Sequence, residues 1–354
     1  MSDRKQIALI GGDGVGREVV AVGRRVLEAL ARARGLPIEL TDYDLGADRF
    51  LRDGVSFPED VARALRERTD AVLLGALGDP RVPDMRHARD ILFGLRFGLD
   101  LFANVRPVVC LHDRLMPLAG RTARDCRFVV FRENTEGAYV GAGGRIRQGT
   151  PDEIAITEIV QTRRGVERIV RAAFDYARAR GLRRVHLADK HNAMPHAHGL
   201  WRDTFAEVAR DYPDVGAEHM FMDALMCRVV LDPGAFEVIV TSNLLGDLLT
   251  DLGAALQGGM GMAASANLHP GRVSMFEPVH GSAPDLAGRD LANPFATVLS
   301  VGMMLTYLGW PDEEARLVGL VREGIELGRC TPDVGGSLGT RAVGDWLVEQ
   351  LACA

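Results

Sequence analysis

The feature that most constrains this chain is its opening. Residues 6–10 form a short apolar run that passes through Gly11-Gly12-Asp13-Gly14-Val15-Gly16 into a stretch where Val15, Val19, Val22, Val26 and Leu30 recur at helical spacing. A strand that turns directly into an amphipathic helix is the first half of a strand–helix–strand unit. The alternation returns with strand-like 38–43, a helix over 58–68, a strand over 71–75, a strand over 185–188, a helix over 198–210 and a strand over 237–241. Strands that alternate with helices predict an α/β fold around a largely parallel sheet. With 354 residues, the chain has room for two domains of ordinary size or one large one. The pattern breaks between 139 and 161, where Gly141, Gly143, Gly144 and Gly149 precede Ile154, Ile156 and Ile159 at nearly alternating positions. This segment reads as an extended ribbon, either a projecting arm or a surface hairpin. No internal repeat, low-complexity tract or long linker interrupts the rest.

Composition excludes several classes. Apolar residues make up 47% and charged residues 25%, enough for a sizeable core, so fibrous and disordered readings fall away. The net charge of −6 gives no general grip on nucleic acid or an acidic membrane face, so an anionic ligand must be held by local cations. Cys110, Cys126, Cys227, Cys330 and Cys353 are odd in number, scattered and free of any CxxC pair, which suits a reducing cytoplasm rather than a disulfide framework or a thiolate zinc site. No apolar run reaches membrane-spanning length, and the start MSDRKQIALIGG lacks a signal-peptide pattern.

The glycine-rich turn fails the dinucleotide test: Gly12, Gly14 and Gly16 alternate, Arg17 follows, and GxGxxG is not formed. A tight backbone turn with Asp13 near a helix start is the plainer reading. Asp247 and Asp251 stand four residues apart on a helix-like stretch, with no Lys or Arg within a turn to neutralise them. Hard oxygens of this kind, with no His or Cys nearby, suit Mg²⁺ or Mn²⁺, although a solvated helix face fits as well. Asp223 lies in the apolar context Phe221-Met222-Asp223-Ala224-Leu225-Met226, which predicts a buried carboxylate in need of a partner.

Arg96, Arg106 and Arg132 each stand inside apolar runs, so each is expected either in a structural ion pair or on an anion. Three together would hold a dicarboxylate. Lys190 follows the strand-like run 185–189, the end at which α/β sheets place their sites. His191, His196 and His198 invite a zinc reading, but HxxxxHxH is not the spacing of a zinc helix and no cysteine lies near, which favours surface or supporting histidines.

Four motifs in order carry a resemblance to the β-decarboxylating dehydrogenases of isopropylmalate, isocitrate, homoisocitrate, tartrate and D-malate. They are Asn104-Val105-Arg106-Pro107, Arg132-Glu133-Asn134-Thr135-Glu136-Gly137-Ala138-Tyr139, the stretch 243–251, and Phe276-Glu277-Pro278-Val279-His280-Gly281-Ser282-Ala283-Pro284-Asp285. The resemblance covers nearly the whole chain, from Gly12 to Thr340, and sits nearest to the isopropylmalate members. It implies a two-domain isopropylmalate/isocitrate dehydrogenase-like fold, not a Rossmann fold. A large cofactor-binding domain would comprise 1–100 and 253–354, and a small domain with the dimer-forming arm 101–252. By position it implies that Arg96, Arg106 and Arg132 clamp the malate-type carboxylates and that Asp247 and Asp251 bind the divalent cation. Asp223 would complete the metal site from the other subunit, Lys190 would take the hydroxyl proton and Tyr139 would supply a proton to the product enol. A homodimer with shared active sites follows, its arm resembling the family's intersubunit clasp.

The cofactor loop would use His280, Gly281, Ser282, Ala283, Asp285 and Asn293. An aspartate at the position of Asp285 goes with NAD in this family, because it accepts from a ribose hydroxyl and repels a 2′-phosphate; NADP users tend to place Lys and Tyr at the positions of Asp285 and Leu286. Apolar Leu92 and Phe93 stand where isopropylmalate enzymes receive a branched alkyl group. Asp90 replaces the serine with which isocitrate enzymes bind their extra carboxylate, and Arg89 replaces a common Glu. The resemblance therefore implies NAD- and Mg²⁺- or Mn²⁺-dependent oxidative decarboxylation of a 3-substituted malate, first 3-isopropylmalate. Tartrate, D-malate, homoisocitrate and a related alkylmalate of secondary metabolism stand as alternatives. A catalytically silent regulatory subunit would be expected to have lost a metal Asp, Lys190 or Tyr139, and all are kept.

Overall fold

The structure, a computed structural model, describes residues 4–353; residues 1–3 of the charged start and the side chain of Cys353 lie outside that description. In chain order the strands are β1 (Lys5–Gly12), β2 (Ile38–Asp42), β3 (Ala71–Ala76), β4 (Ala103–Val109), β5 (Arg127–Glu133), β6 (Gly143–Ile146), β7 (Ile154–Thr157), β8 (Arg184–Asp189), β9 (Gly216–Phe221), β10 (Val238–Thr241), β11 (Ala264–Leu268) and β12 (Ser274–Pro278). The chain forms two compact units, one of residues 1–101, 110–123 and 254–354, the other of 102–109 and 124–253. Residues 110–123, assigned from sequence to the second unit, cluster with the first, where the Arg114 guanidinium bonds the Ile325 carbonyl and Cys330 Sγ.

The first unit orders its strands β2-β1-β3-β12-β11. All neighbours run parallel except β11 and β12. The helix Gly16–Arg34 buries Val19, Val22, Val26 and Leu30, the face its spacing predicts, and ends at Gly35 with φ 64°. Ile10, Leu65, Leu74, Ile91 and Leu95 share one core cluster.

The second unit orders its strands β4-β5-β10-β8-β9. Here β4 and β5 are antiparallel and the remaining neighbours parallel. Register aligns Thr241 with Arg132 and with Ala188, so the carboxyl ends of β5, β10 and β8 come level. Arg106 pairs with Val130, two positions from Arg132, and side chains two apart share a face. The 139–161 ribbon is the antiparallel hairpin β6–β7, with Ile146, Ile154 and Ile156 all exposed.

Cys110, Cys126 and Cys330 are buried and Cys227 exposed, all as free thiols. Among the described residues no helix is long and apolar enough to cross a membrane.

Candidate active site

In the second unit, the helix Asn243–Leu256 brings Asn243, Asp247, Thr250 and Asp251 to one face. Asp247 is the hub. Its Oδ1 accepts from Arg132 Nη1 at 2.6 Å and Arg106 Nη1 at 3.4 Å, and its Oδ2 accepts from the Tyr139 hydroxyl at 3.1 Å. The positive charge missing from the sequence around Asp247 is therefore delivered by two strands. Arg132 also donates Nε and Nη2 to Asn243 Oδ1, at 3.0 and 2.8 Å, and Arg106 donates to Thr250 Oγ1 at 2.6 Å. A Cβ on Gly246 would come within 2.7 Å of Arg132 Cγ, so glycine there makes room for the guanidinium stem.

Asn243 and Thr250 are the site residues that sequence reasoning missed. Their i, i+4, i+7 spacing with Asp247 was the signal that could have found them.

The electrostatics divide the roles. Burial, with Asp247 as the second cause, pushes the Tyr139 phenol above its ordinary value and keeps it protonated as a donor. Burial and then Asp247 also push the Asp251 carboxyl up. Two neighbouring carboxylates, one of which resists ionising, form a set whose charge a hard divalent cation would balance, and their oxygens suit Mg²⁺ or Mn²⁺.

Asp223 departs from expectation: it is exposed, not buried. It sits in the first turn of the helix Met222–Leu231, whose other face buries Met222, Leu225 and Val229, so its apolar neighbours cover a different side. It accepts from Lys190 Nζ at 2.6 Å, and this bond holds its carboxyl below the ordinary value. Asp223, Asp247 and Asp251 do not form a three-ligand group within one chain; among the described residues the one such group is Asp189, His191 and His219. The local histidine set considered for zinc does not assemble either. His198 is buried and accepts from the Lys190 backbone N–H at 3.1 Å, while His196 is exposed.

In the first unit, Arg96 is buried and donates Nη2 to Glu277 Oε1 at 3.1 Å, an ion pair that also takes Asn267 Nδ2. The glycine turn is an exercise in close approach. A Cβ on Gly14, at φ 52°, would lie 2.0 Å from the Ser282 carbonyl oxygen, and the Val15 N–H donates to that same oxygen at 2.9 Å. Buried Asp13 fastens the turn: Oδ1 accepts from the Ala47 N–H, Oδ2 accepts from the Gly78 N–H, and His87 Nε2 lies 2.9 Å from Oδ2.

The 280–293 loop is thereby docked against the turn. Ala283 there adopts φ 38°, Asp285 is exposed, and the Nε2 of His280 is buried without a hydrogen bond among the described residues. Burial keeps that imidazole neutral by lowering its pKa. An unspent buried nitrogen at one position of the loop and an exposed carboxylate five residues on fit a loop that meets a polar ligand. Asn293 is already engaged, accepting from the Phe295 N–H and donating to Asp333 Oδ2, each at 3.0 Å. Leu92 packs on the unit's core, Phe93 stacks on Phe97 with centroids 5.1 Å apart, and Asp90 accepts from Ser56 Oγ at 3.1 Å.

Comparison with known proteins is consistent over nearly the full length. The family described as isocitrate/isopropylmalate dehydrogenase matches residues 6–347. A 3-isopropylmalate dehydrogenase of Frankia casuarinae is 50% identical over 314 residues, 88% of this chain and 90% of its own length. One of Streptomyces griseus subsp. griseus is 46% identical over 349 residues, 96% and 99% of the two chains. Among solved structures, the isocitrate dehydrogenase from Methylococcus capsulatus matches with a TM-score of 0.89 at 35% identity, covering 98% of this chain and 99% of that one.

Proposed function

This chain belongs to the isocitrate/isopropylmalate dehydrogenase family, and from that premise we propose that it oxidatively decarboxylates 3-isopropylmalate to 2-oxo-4-methylpentanoate, CO₂ and NADH. It is an oxidoreductase that acts on a small hydroxy acid. The observation that carries the reading is Asp247, where two buried guanidinium groups and a phenol converge on one carboxylate.

Asp247 and Asp251, with Asp223 from a second copy of the chain, would hold Mg²⁺ or Mn²⁺; the loop from His280 to Asp285 would hold NAD. When bound, the cation polarises the substrate hydroxyl and adjacent carboxylate, and the nicotinamide accepts hydride. Arg96, Arg106 and Arg132 turn their forked donors to the substrate carboxylates, and Asn243 and Thr250 keep the forks of Arg132 and Arg106 aimed. Lys190 of the second copy takes the hydroxyl proton. Tyr139, kept protonated by its burial, delivers a proton to carbon 3 once CO₂ has left. Leu92 and Phe93 receive the isopropyl group, and the Asp90 carboxylate repels the extra carboxylate of isocitrate. Asp285 accepts from the adenosine ribose hydroxyl and so selects NAD.

A pair of copies is part of this reading, and it is supported by Asp223 pairing with Lys190 and not forming a three-ligand group with Asp247 and Asp251 within one chain. The exposed isoleucines of the β6–β7 arm offer the apolar surface for that pairing. The test is NADH formation with Mg²⁺ across isopropylmalate, homoisocitrate, isocitrate, tartrate and D-malate. Isopropylmalate should give the highest kcat/KM; a higher value on another acid reassigns the substrate, and no turnover on any of them overturns the reading.

A further inference from the structure

The cation site read above is made of hard oxygens. A second group of a different chemistry stands at the end of β8. Asp189 is fully buried, and its Oδ1 lies 3.0 Å from His191 Nδ1 and 3.1 Å from His219 Nε2. The parallel register of β8 and β9 sets His219 opposite Leu187 and Phe221 opposite Asp189, so His219 reaches the carboxylate from the neighbouring strand. Phe221 packs against both imidazoles, with centroids 5.0 Å from His191 and 5.2 Å from His219, and limits their rotation. One ligand atom from each of the three residues lies within 4.8 Å of the other two.

We propose that Asp189, His191 and His219 form a binding site for a divalent transition cation of the zinc class, separate from the all-carboxylate site. Two imidazole nitrogens and one carboxylate oxygen suit Zn²⁺, Co²⁺, Ni²⁺ or Cu²⁺ rather than Mg²⁺. A tetrahedron whose metal–ligand bonds are about 2.0–2.1 Å has edges of about 3.3–3.4 Å, so a cation takes the place of the protons between these atoms once the O···N separations of 3.0 and 3.1 Å open by a few tenths of an ångström. The His191 backbone N–H donates to Asp189 Oδ1 at 3.1 Å and orients the carboxylate. His191 and His219 keep side-chain exposures of 19% and 31%, which leaves an entry path and a fourth position open to water. Lys190 stands between two of the ligands in sequence, so occupancy fixes the backbone on both sides of it. Any effect on turnover rests on the function proposed above; binding does not.

The experiment uses the full-length chain, stripped with chelator and then held in excess Mg²⁺ so that the oxygen site is occupied. Co²⁺ is the probe. The expected result is one equivalent bound per chain with the intense visible bands of four-coordinate cobalt, discharged by Zn²⁺. Bands kept by Asp251→Asn but lost by His219→Gln and His191→Ala support the site, with affinity falling by more than the roughly 10–100-fold expected of an outer-sphere change. Zn²⁺ should also raise the Tm of the parent chain and leave that of His219→Gln unmoved, which keeps the test valid if His191→Ala folds poorly. No four-coordinate bands, bands that survive His219→Gln, or bands lost with Asp251→Asn would overturn the proposal.

Discussion

The glycine turn of the first unit and the Asp247 cluster of the second both prepare polar surfaces, by opposite means. The turn is made by backbone: Gly14 approaches the Ser282 carbonyl, and Asp13 spends both oxygens on backbone N–H groups and one imidazole. The cluster is made by side-chain charge: Arg106 and Arg132 reach Asp247 from two strands, and Tyr139 completes the set. A backbone-built surface is fixed in shape and tolerates no added atoms. A charge-built one tolerates changes of shape but not loss of a charge.

The sharpest way to break this contrast is Asp247→Ala. It should lower kcat by about 10³-fold or more, because both arginines, and the cation proposed above, would lose their common carboxylate. Urea unfolding should show a loss of roughly 2 kcal/mol, less than for a wholly buried pair because Asp247 remains 35% exposed. A kcat within tenfold of the parent would remove Asp247 from the reaction. Tyr139→Phe keeps the ring and removes the hydroxyl, with its transferable proton and its bond to Asp247 Oδ2, so kcat should fall by about 10²-fold while KM and Tm stay close to the parent values. Equal losses in KM and kcat would point to substrate positioning instead.

Gly14→Ala probes the other region. An added methyl meets a backbone carbonyl at an unfavourable φ, and the expected cost is about 2 kcal/mol in stability. An unchanged urea midpoint would show that the turn yields. On the adjoining loop, Asp285→Lys with Leu286→Tyr should move the NAD/NADP preference by about 10–100-fold toward NADP, and an unchanged ratio of kcat/KM values would refute the role given to Asp285.

The smallest effect concerns pH. Burial, opposed by Glu218, lowers the pKa of His186 in β8 from its ordinary 6.5, so the folded chain holds this imidazole neutral. The unfolded chain binds that proton more readily. The stability contribution is therefore present above 6.5 and lost as pH falls from there through the folded pKa. His186→Phe should flatten this part of the stability profile, and an unaltered slope would assign the acid sensitivity elsewhere.

Legibility followed the range of each interaction. The buried face of the helix Gly16–Arg34 and the shared face of Asp247 and Asp251 could be read directly, because helical geometry repeats within a few residues. Burial of Arg96, Arg106 and Arg132 was foreseen from their apolar flanks, but Glu277 as the partner of Arg96 was not. Asp223 was misjudged for a related reason: apolar neighbours say that a helix is buried on one side, not which side a given residue takes. The spacing of His191, His196 and His198 favoured surface or supporting histidines, and what it could not show is that His191 has its companion, His219, on β9 rather than along its own segment.

By itself, the sequence determined the α/β alternation, the glycine turn, the helix faces and the motifs of the family, because each is written in contiguous residues whose spacing the backbone converts into geometry. Only the tertiary structure decided that Arg132 meets a carboxylate 115 positions away, that Asn243 and Thr250 aim the two arginines, and that Asp189 gathers two histidines. Those meetings depend on strand order and register, which long-range packing of the sheet selects and local spacing does not encode.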